Sequence, residues 1–336
     1  MIITPKFWIK RGLLPTLLLP FSLAWFVASW LRKFLASPKK SSIPVICVGN
    51  LTAGGTGKTP LTTMLYDKLK SVGYHPAILM RGYRGTATKP MWVDTNLNRK
   101  NLFGDEAVMI SGGRNVMVAR DRSSGADAIA ESGKYDLIIM DDGLQNPNIF
   151  KDFKIVMFDG SVGVGNGWLI PAGPLRVPFK NGVKKVDAFV INGTDQTGIQ
   201  DRLPKEIPVY FGQLQPDQNS IEYLKTKPVL AFAGIGQPTN FFSTLRKAGI
   251  KVKLELAFAD HHPYREADLV RIQEDATRLG INIVTTQKDW VRLPLLWRDR
   301  IDFLPVSMTL KQNETLVNLI QQGIINKEVR HYDSHE

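Results

Sequence analysis

The sequence has a single cysteine in 336 residues, Cys47, set inside an apolar run where a thiol is usually packing. No disulfide can close within the chain, which fits a reducing compartment. With no cysteine cluster and no H-E-x-x-H pattern, nothing supports a zinc site. Acidic side chains are in the minority, 31 against 43 Lys and Arg, for a net charge of +12. That balance favours an anionic partner (a nucleotide, nucleic acid or an acidic membrane surface) without choosing among them. Recognition modules and basic–aromatic interleaving are both missing, so a nucleic-acid-binding ATPase has only charge in its favour and no nucleic-acid partner is expected. There is no internal repeat of diagnostic period and no low-complexity tract. The hydrophobic share of 43% and charged share of 22% are those of an ordinary globular protein long enough for two domains.

What the chain does have is a glycine-rich stretch between an apolar run and a helical pattern. Ile43 to Val48 reads as a buried strand, and Leu61 to Leu69 has helical spacing of apolar residues. Between them lies Gly49-Asn50-Leu51-Thr52-Ala53-Gly54-Gly55-Thr56-Gly57-Lys58-Thr59. Strand, glycine loop and helix are the context of a phosphate-binding loop. Its curled backbone points successive N–H groups at a phosphate, and the following helix adds its positive end. Lys58 is placed to reach the outer phosphates, and the Thr59 hydroxyl to ligate Mg²⁺. The usual G-x-x-x-x-G-K-[ST] pattern wants glycine where Thr52 stands.

Other motifs sit at the ends of further strands. Pro76 to Met80 runs into Arg81-Gly82-Tyr83-Arg84-Gly85, two arginines among glycines where α/β proteins bind ligands. Gly104-Asp105-Glu106 opens a helix, where acidic residues ordinarily just suit the dipole. Asn115 to Arg122 reads as a strand ending in charge. Tyr135 to Gln145 is an apolar strand ending in Asp141-Asp142-Gly143, the position from which P-loop proteins hold Mg²⁺. A long Gly/Pro-rich loop follows the strand Lys154–Asp159 and contains Leu169 to Arg176. Residues 193–226 are polar and irregular and suggest a linker. A second strand–helix set then begins at Pro228, with Asp260-His261-His262 and Thr285-Thr286-Gln287-Lys288-Asp289 within it. The pattern predicts an α/β chain: an N-terminal segment over 1–40, a P-loop core over 41–195, a linker over 196–226 and a smaller lobe over 227–336.

Residues 13–31 carry no charge and are flanked on both sides by Lys and Arg. By length they could span a bilayer. Pro15, Pro20, Thr16, Ser22 and Ser29 weaken that reading, and the two-sided charge gives no orientation. A helix lying in the cytoplasmic leaflet, with Trp8, Trp25 and Trp30 at the interface, is the expectation. A helix packed on the domain and a cleaved leader are the alternatives.

These parts suit phosphoryl transfer, which needs a phosphate cradle, a metal carboxylate, cationic clamps and a group to position the acceptor hydroxyl. Asp105 fills the last role if His261 or His262 packs beside it. A P-loop switch or insertase competes with this reading. Insertases often carry lysine just before the Gly-Gly of the loop, where this chain has Ala53, and the Asn-Lys-x-Asp of guanine switches has no match.

Taken together, the segments at Thr52–Thr59, Arg81–Gly85, Gly104–Glu106, Asp141–Gln145, Leu169–Arg176, Asp260–His262 and Thr285–Asp289 resemble the tetraacyldisaccharide 4′-kinases of lipid A biosynthesis, in order and to about residue 310. The resemblance implies a P-loop NTPase-like α/β/α sandwich with a second, smaller α/β lobe and an N-terminal membrane-associated helix. It implies ATP and Mg²⁺ as cofactors, a glycolipid disaccharide 1-phosphate as substrate, and the cytoplasmic face of the bacterial inner membrane as location; a monomer is expected. Carried over, residues Thr52, Ala53, Gly54, Gly55, Thr56, Gly57, Lys58 and Thr59 bind the nucleotide. Thr59, Asp141 and Asp142 lie at the metal, Asp105 is the base with His261 assisting and Lys58 acting in catalysis, and Arg81, Tyr83, Arg176 and Glu106 meet the substrate. The family tolerates Ser or Thr at the Thr52 position. It usually has Glu where this chain has Val177.

Overall fold

The computed structural model describes residues 5–94 and 100–332; the outermost residues of the expected 1–40 and 227–336 segments lie outside this range. In chain order the strands are β1 (Val45–Asn50), β2 (Pro76–Met80), β3 (Met91–Trp92), β4 (Val116–Val118), β5 (Leu137–Asp141), β6 (Phe153–Asp159) and β7 (Ala188–Asn192). They continue as β8 (Val209–Pro216), β9 (Val229–Ala233), β10 (Val252–Ala257), β11 (Asn282–Thr286), β12 (Asp302–Leu304) and β13 (Val306–Leu310). The chain divides into two units, one of residues 4–214 and 308–336, the other built on residues 215–307.

The larger unit is organised on a nine-stranded sheet of order β13-β8-β7-β6-β1-β5-β2-β4-β3. β1 pairs in parallel with β5 and β6, β2 with β4 and β5, and β7 with β6 and β8, while β3 is antiparallel to β4. Strands buried on both faces read as continuous apolar runs, as β1, β2 and β5 do. Alternate residues of β1 serve opposite faces: Ile46 and Val48 meet Leu61, Leu65 and Leu69 of the helix Lys58–Ser71, while Val45 and Cys47 meet Ala126 and Ile129 of the helix Arg122–Glu131. Burial, helped by Asp142 and Asp141 and opposed by Lys151, pushes the Cys47 thiol up to about 12, so it packs as a small apolar residue. β1 sits between β6 and β5 with β2 and β4 beyond, so the loops leaving these five neighbouring strands share one edge. Four of the motifs, scattered over more than a hundred residues of sequence, are gathered there.

The smaller unit has a four-stranded parallel sheet of order β10-β9-β11-β12. The helix Pro238–Lys247 places Phe241, Phe242 and Leu245 on one face, and the helix Glu266–Leu279 places Leu269, Ile272 and Ala276 on the other.

Two stretches differ from their sequence reading. Where an irregular linker is expected over 196–226, the structure has a 3₁₀ turn at Gln200–Arg202, all of β8 and the helix Gln218–Lys225. Asp217 caps that helix through the Ser220 amide, and Ile221 and Leu224 reach the core of the smaller unit. Only two apolar anchors in eight residues made the segment look polar. Residues 308–332, expected in the C-terminal lobe, return to the larger unit. There the helix Asn313–Tyr332 seats Leu316, Val317, Ile320 and Ile324 on the same core as β1.

The N-terminal apolar stretch is also divided, into Leu13–Leu17 and Leu19–Phe34, with Pro20 starting the second helix. Among the described residues no helix is long and apolar enough to cross a membrane. Ser22 is the one buried residue of Leu19–Phe34, while Phe21, Leu23, Trp25, Val27, Trp30 and Phe34 are exposed. Ser22 donates to the Leu169 carbonyl and accepts from the Ala172 amide, and the Trp25 indole donates to the Arg176 carbonyl. Trp8, expected at a membrane interface, is instead buried and donates to the Pro171 carbonyl.

Candidate active site

The phosphate loop leaves β1 and enters the helix Lys58–Ser71 through Gly57, which has φ +93° and acts as the helix N-cap. Such a backbone costs a side-chain-bearing residue strain that glycine avoids. Thr52, Thr56 and Lys58 are buried, Ala53, Gly54, Gly57 and Thr59 partly so, and Gly55 is exposed. The buried Thr56 hydroxyl and the Asn50 side-chain Oδ1 have no hydrogen-bond partner within the protein. Buried polar atoms are rarely left so, and an anionic ligand with its water and cation in the cradle would satisfy them.

The loop does not stand alone. Ala53 donates its amide to the Pro174 carbonyl at 2.8 Å, and Arg176 donates its own to the Leu51 carbonyl at 2.8 Å. Leu169 to Arg176 is thereby laced onto the phosphate loop by backbone bonds, with Thr52 opposite Leu175. The Arg176 guanidinium turns inward to Asp142 Oδ1 at 2.8 Å and Gln145 Oε1 at 3.3 Å. Gln145 in turn donates to the Asn50 carbonyl. Val177, which follows Arg176, packs against the Leu51 and Phe158 cluster, so here that position serves the core.

Asp141 and Asp142 are divided by partner type. The Thr59 and Thr62 hydroxyls donate to Asp141 Oδ2 and Oδ1 at 3.0 and 3.3 Å. Asp142, at φ +51°, faces cations: Lys58 Nζ lies 4.0 Å from its Oδ2 and Arg176 holds its Oδ1. Burial pushes the Asp141 carboxyl up to about 7; Lys58 opposes this, Asp142 and Glu106 add to it, and the Thr59 bond opposes it again. Burial acts on Asp142 in the same sense but is outweighed by Lys58 and Arg176, leaving that carboxyl below its ordinary range. Two adjacent carboxylates and a threonine hydroxyl are hard oxygen donors of the kind Mg²⁺ takes, with the remaining positions left to phosphate and water. No group of three or more His, Cys, Asp or Glu that could hold a metal ion occurs among the described residues.

A raised acid lowers stability as pH climbs. Between the ordinary 3.8 and about 7 the folded chain binds more protons at Asp141 than the unfolded chain does, so stability falls through that window. In Asp141→Asn this cost is absent. Without Mg²⁺ the variant is therefore expected to be more stable than wild type at pH 8, by on the order of 1–3 kcal/mol, with the gap narrowing toward pH 5. Thermal melts at the two pH values check this, and a variant less stable at pH 8 overturns it.

Asp105 and Glu106 open the helix Asp105–Ile110, both partly buried. A Cβ on Gly104 would fall 2.2 Å from the Tyr83 carbonyl oxygen, and one on Gly85 would fall 2.4 Å from that of Leu102. The two glycine-bearing motifs therefore meet backbone to backbone, which sets the Arg81–Gly85 loop beside Asp105. Arg81 and Tyr83 are exposed, with Arg84 over the Tyr83 ring. The field of Glu106 reaches Asp141. Arg122, read from sequence only as the charged end of a strand, is 4% exposed and its Nε has no partner within the protein. Burial, then Arg81, push it down to about 10, while Asp142 and Asp141 oppose them. Thr62 was missed too, being a threonine amid a helix core.

The histidines lie in the smaller unit and are told apart by their partners. His262 Nε2 pairs with Asp268 at 3.0 Å, and its ring packs on Phe258 and Tyr264. His261, at φ +60°, has Nδ1 2.8 Å from Arg292 Nη2.

The family model described as LpxK, tetraacyldisaccharide-1-P 4′-kinase, matches residues 14–324. The chain belongs to this family. The tetraacyldisaccharide 4′-kinase of Rhodospirillum centenum is 40% identical over 329 residues, covering 96% of this chain and 97% of the relative. That of Methylobacterium nodulans is 42% identical over 310 residues and 90% of each chain. Among solved structures, LpxK from Aquifex aeolicus in complex with ATP matches with a TM-score of 0.77 and 28% identity, covering 93% of this chain and all of that one. The P-loop kinase fold expected of the family is therefore the fold of this chain.

Proposed function

We propose that the chain is an ATP-dependent lipid kinase that transfers the γ-phosphate to the 4′-hydroxyl of a tetraacylated glucosamine disaccharide 1-phosphate. The observation that carries this reading is the convergence of the phosphate loop, Lys58, Asp141, Asp142 and Arg176 at one sheet edge in a member of the 4′-kinase family. The loop from Thr52 to Thr59 takes the nucleotide phosphates. Thr59 and Asp141, with Asp142 beside them, hold Mg²⁺, which neutralises charge on the phosphates when bound. Asp105 accepts the proton of the acceptor hydroxyl, and His261 is the catalytic residue that the smaller unit supplies. Arg81, Tyr83, Arg176 and Glu106 serve the substrate, and the buried Arg122 adds a cation beside Arg81. The test is incubation with γ-labelled ATP and a bacterial lipid extract: label in a glycolipid supports the kinase, and hydrolysis without a labelled acceptor supports a nucleotide switch or insertase.

The exposed apolar side of Leu19–Phe34, with Arg32 and Lys33 in its last turn, supports seating in the cytoplasmic leaflet of the inner membrane. Deleting residues 1–35 is expected to abolish co-flotation with anionic vesicles. Retained binding places the anchor elsewhere. Activity as a monomer completes this reading.

A further inference from the structure

The helix Leu19–Phe34 inverts the usual order of a helix seated on a protein. Apolar side chains normally face the core and polar ones face out. Here the one buried residue is Ser22, 5% exposed, and the large apolar side chains around it are open. A membrane anchor needs only that open side. The inward contacts are polar, and they are aimed at one stretch of backbone. The Ser22 hydroxyl donates to the Leu169 carbonyl at 2.8 Å and accepts from the Ala172 amide at 3.1 Å. Three residues on, and so on the same side of the helix, the Trp25 indole donates to the Arg176 carbonyl at 3.0 Å. Ahead of the helix, the buried Trp8 donates to the Pro171 carbonyl at 2.8 Å, and its own carbonyl accepts from the Asn166 amide at 2.7 Å.

The receiving segment, Leu169–Arg176, is built of turns and isolated bridges. Its shape is therefore set by what it is bonded to on either side. On the far side those bonds are the Ala53 amide on the Pro174 carbonyl and the Arg176 amide on the Leu51 carbonyl. One residue, Arg176, thus joins Trp25 to the phosphate loop. All of these residues belong to the larger unit. Ala172 is fully buried, so loss of the Ser22 hydroxyl leaves its amide without a partner, a cost the segment escapes only by moving.

We infer that Ser22 and Trp25 are positioning residues for the nucleotide site: through Leu169–Arg176 they set the backbone of the phosphate loop and the aim of Arg176. The apolar helix is then a strut as well as an anchor. This rests on the reading of Thr52–Thr59 as the nucleotide cradle and holds whichever hydroxyl receives the phosphate.

The test is equilibrium binding of ATP with Mg²⁺ to the full-length protein in lipid-free detergent buffer, beside co-flotation with anionic vesicles. The double variant Ser22→Ala, Trp25→Phe removes a hydroxyl and an indole N–H and keeps the apolar side of the helix. It is expected to weaken ATP binding by at least about 5-fold and to raise KM for ATP but not for the lipid acceptor, with co-flotation kept. Trp30→Ser, on the open side, is expected to lower co-flotation and leave ATP affinity as it is. In an Arg176→Met background the double variant is expected to cost less than it does in wild type, the mark of a shared route. ATP affinity within twofold of wild type in the double variant makes the helix an anchor alone and overturns the proposal. Equal loss of ATP affinity in Trp30→Ser, or losses that add fully with Arg176→Met, overturns it too. Wild type that binds no ATP would instead remove the cradle reading on which the inference rests.

Discussion

With Asp105 replaced by alanine, kcat for phosphoryl transfer is expected to fall by about 10²–10⁴-fold, while the affinity for ATP stays within about twofold of wild type. The asymmetry follows from position. Asp105 begins a helix against the Arg81–Gly85 loop, where Gly104 lies close under the Tyr83 carbonyl and Gly85 under that of Leu102. A base acts on the acceptor hydroxyl in the transition state, so its loss is felt in turnover and not in the bound nucleotide. Single-turnover rates with labelled ATP, beside equilibrium nucleotide binding, separate the two. Equal loss of both would remove Asp105 from the role of base and make it part of the nucleotide site.

The second large effect is expected at Lys58. Alanine there should lower transfer by about 10²–10³-fold, the usual cost of one preorganised donor, and should weaken ATP binding as well. Lys58 is 8% exposed, the first residue of its helix, and 4.0 Å from Asp142. It is also the main opposition to the burial that raises Asp141. Removing it therefore subtracts a phosphate contact and leaves two adjacent carboxylates with Arg176 as their close cation. Magnesium dependence is expected to shift to higher concentration and higher pH in the variant, because Asp141 then ionises less readily. A titration of activity against Mg²⁺ at pH 7 and pH 8.5 reads this. Loss of transfer with unchanged nucleotide affinity and unchanged magnesium dependence would mean that Lys58 acts on the acceptor side.

These two residues also show what the sequence makes legible. Lys58 could be found because its signal is local: apolar strand, glycines and helix are contiguous, and one helix start positions the ammonium. Asp141 was legible for the same reason, as the end of a buried strand. Asp105 was not, since a first-turn carboxylate looks alike whether it caps a helix or binds a proton; the motif set singled it out. Arg122 was missed because its surroundings are assembled by groups distant in sequence, Arg81 among them. The return of residues 308–332 to the larger sheet was hidden likewise, because periodicity marks an apolar helix face without saying which core it covers.

Arg176 spends its amide on Leu51, its carbonyl on Trp25 and its guanidinium on Asp142. A single residue thus answers to three clients: the phosphate loop, the apolar helix and the carboxylate pair. Any residue but proline keeps the two backbone bonds, so a substitution here removes only the guanidinium from Asp142 and Gln145. In a saturation library, position 176 should tolerate no replacement, lysine included, since an ammonium cannot reach Asp142 and Gln145 together in the plane of a guanidinium. Its neighbour Val177, which only fills space, should accept several aliphatic residues.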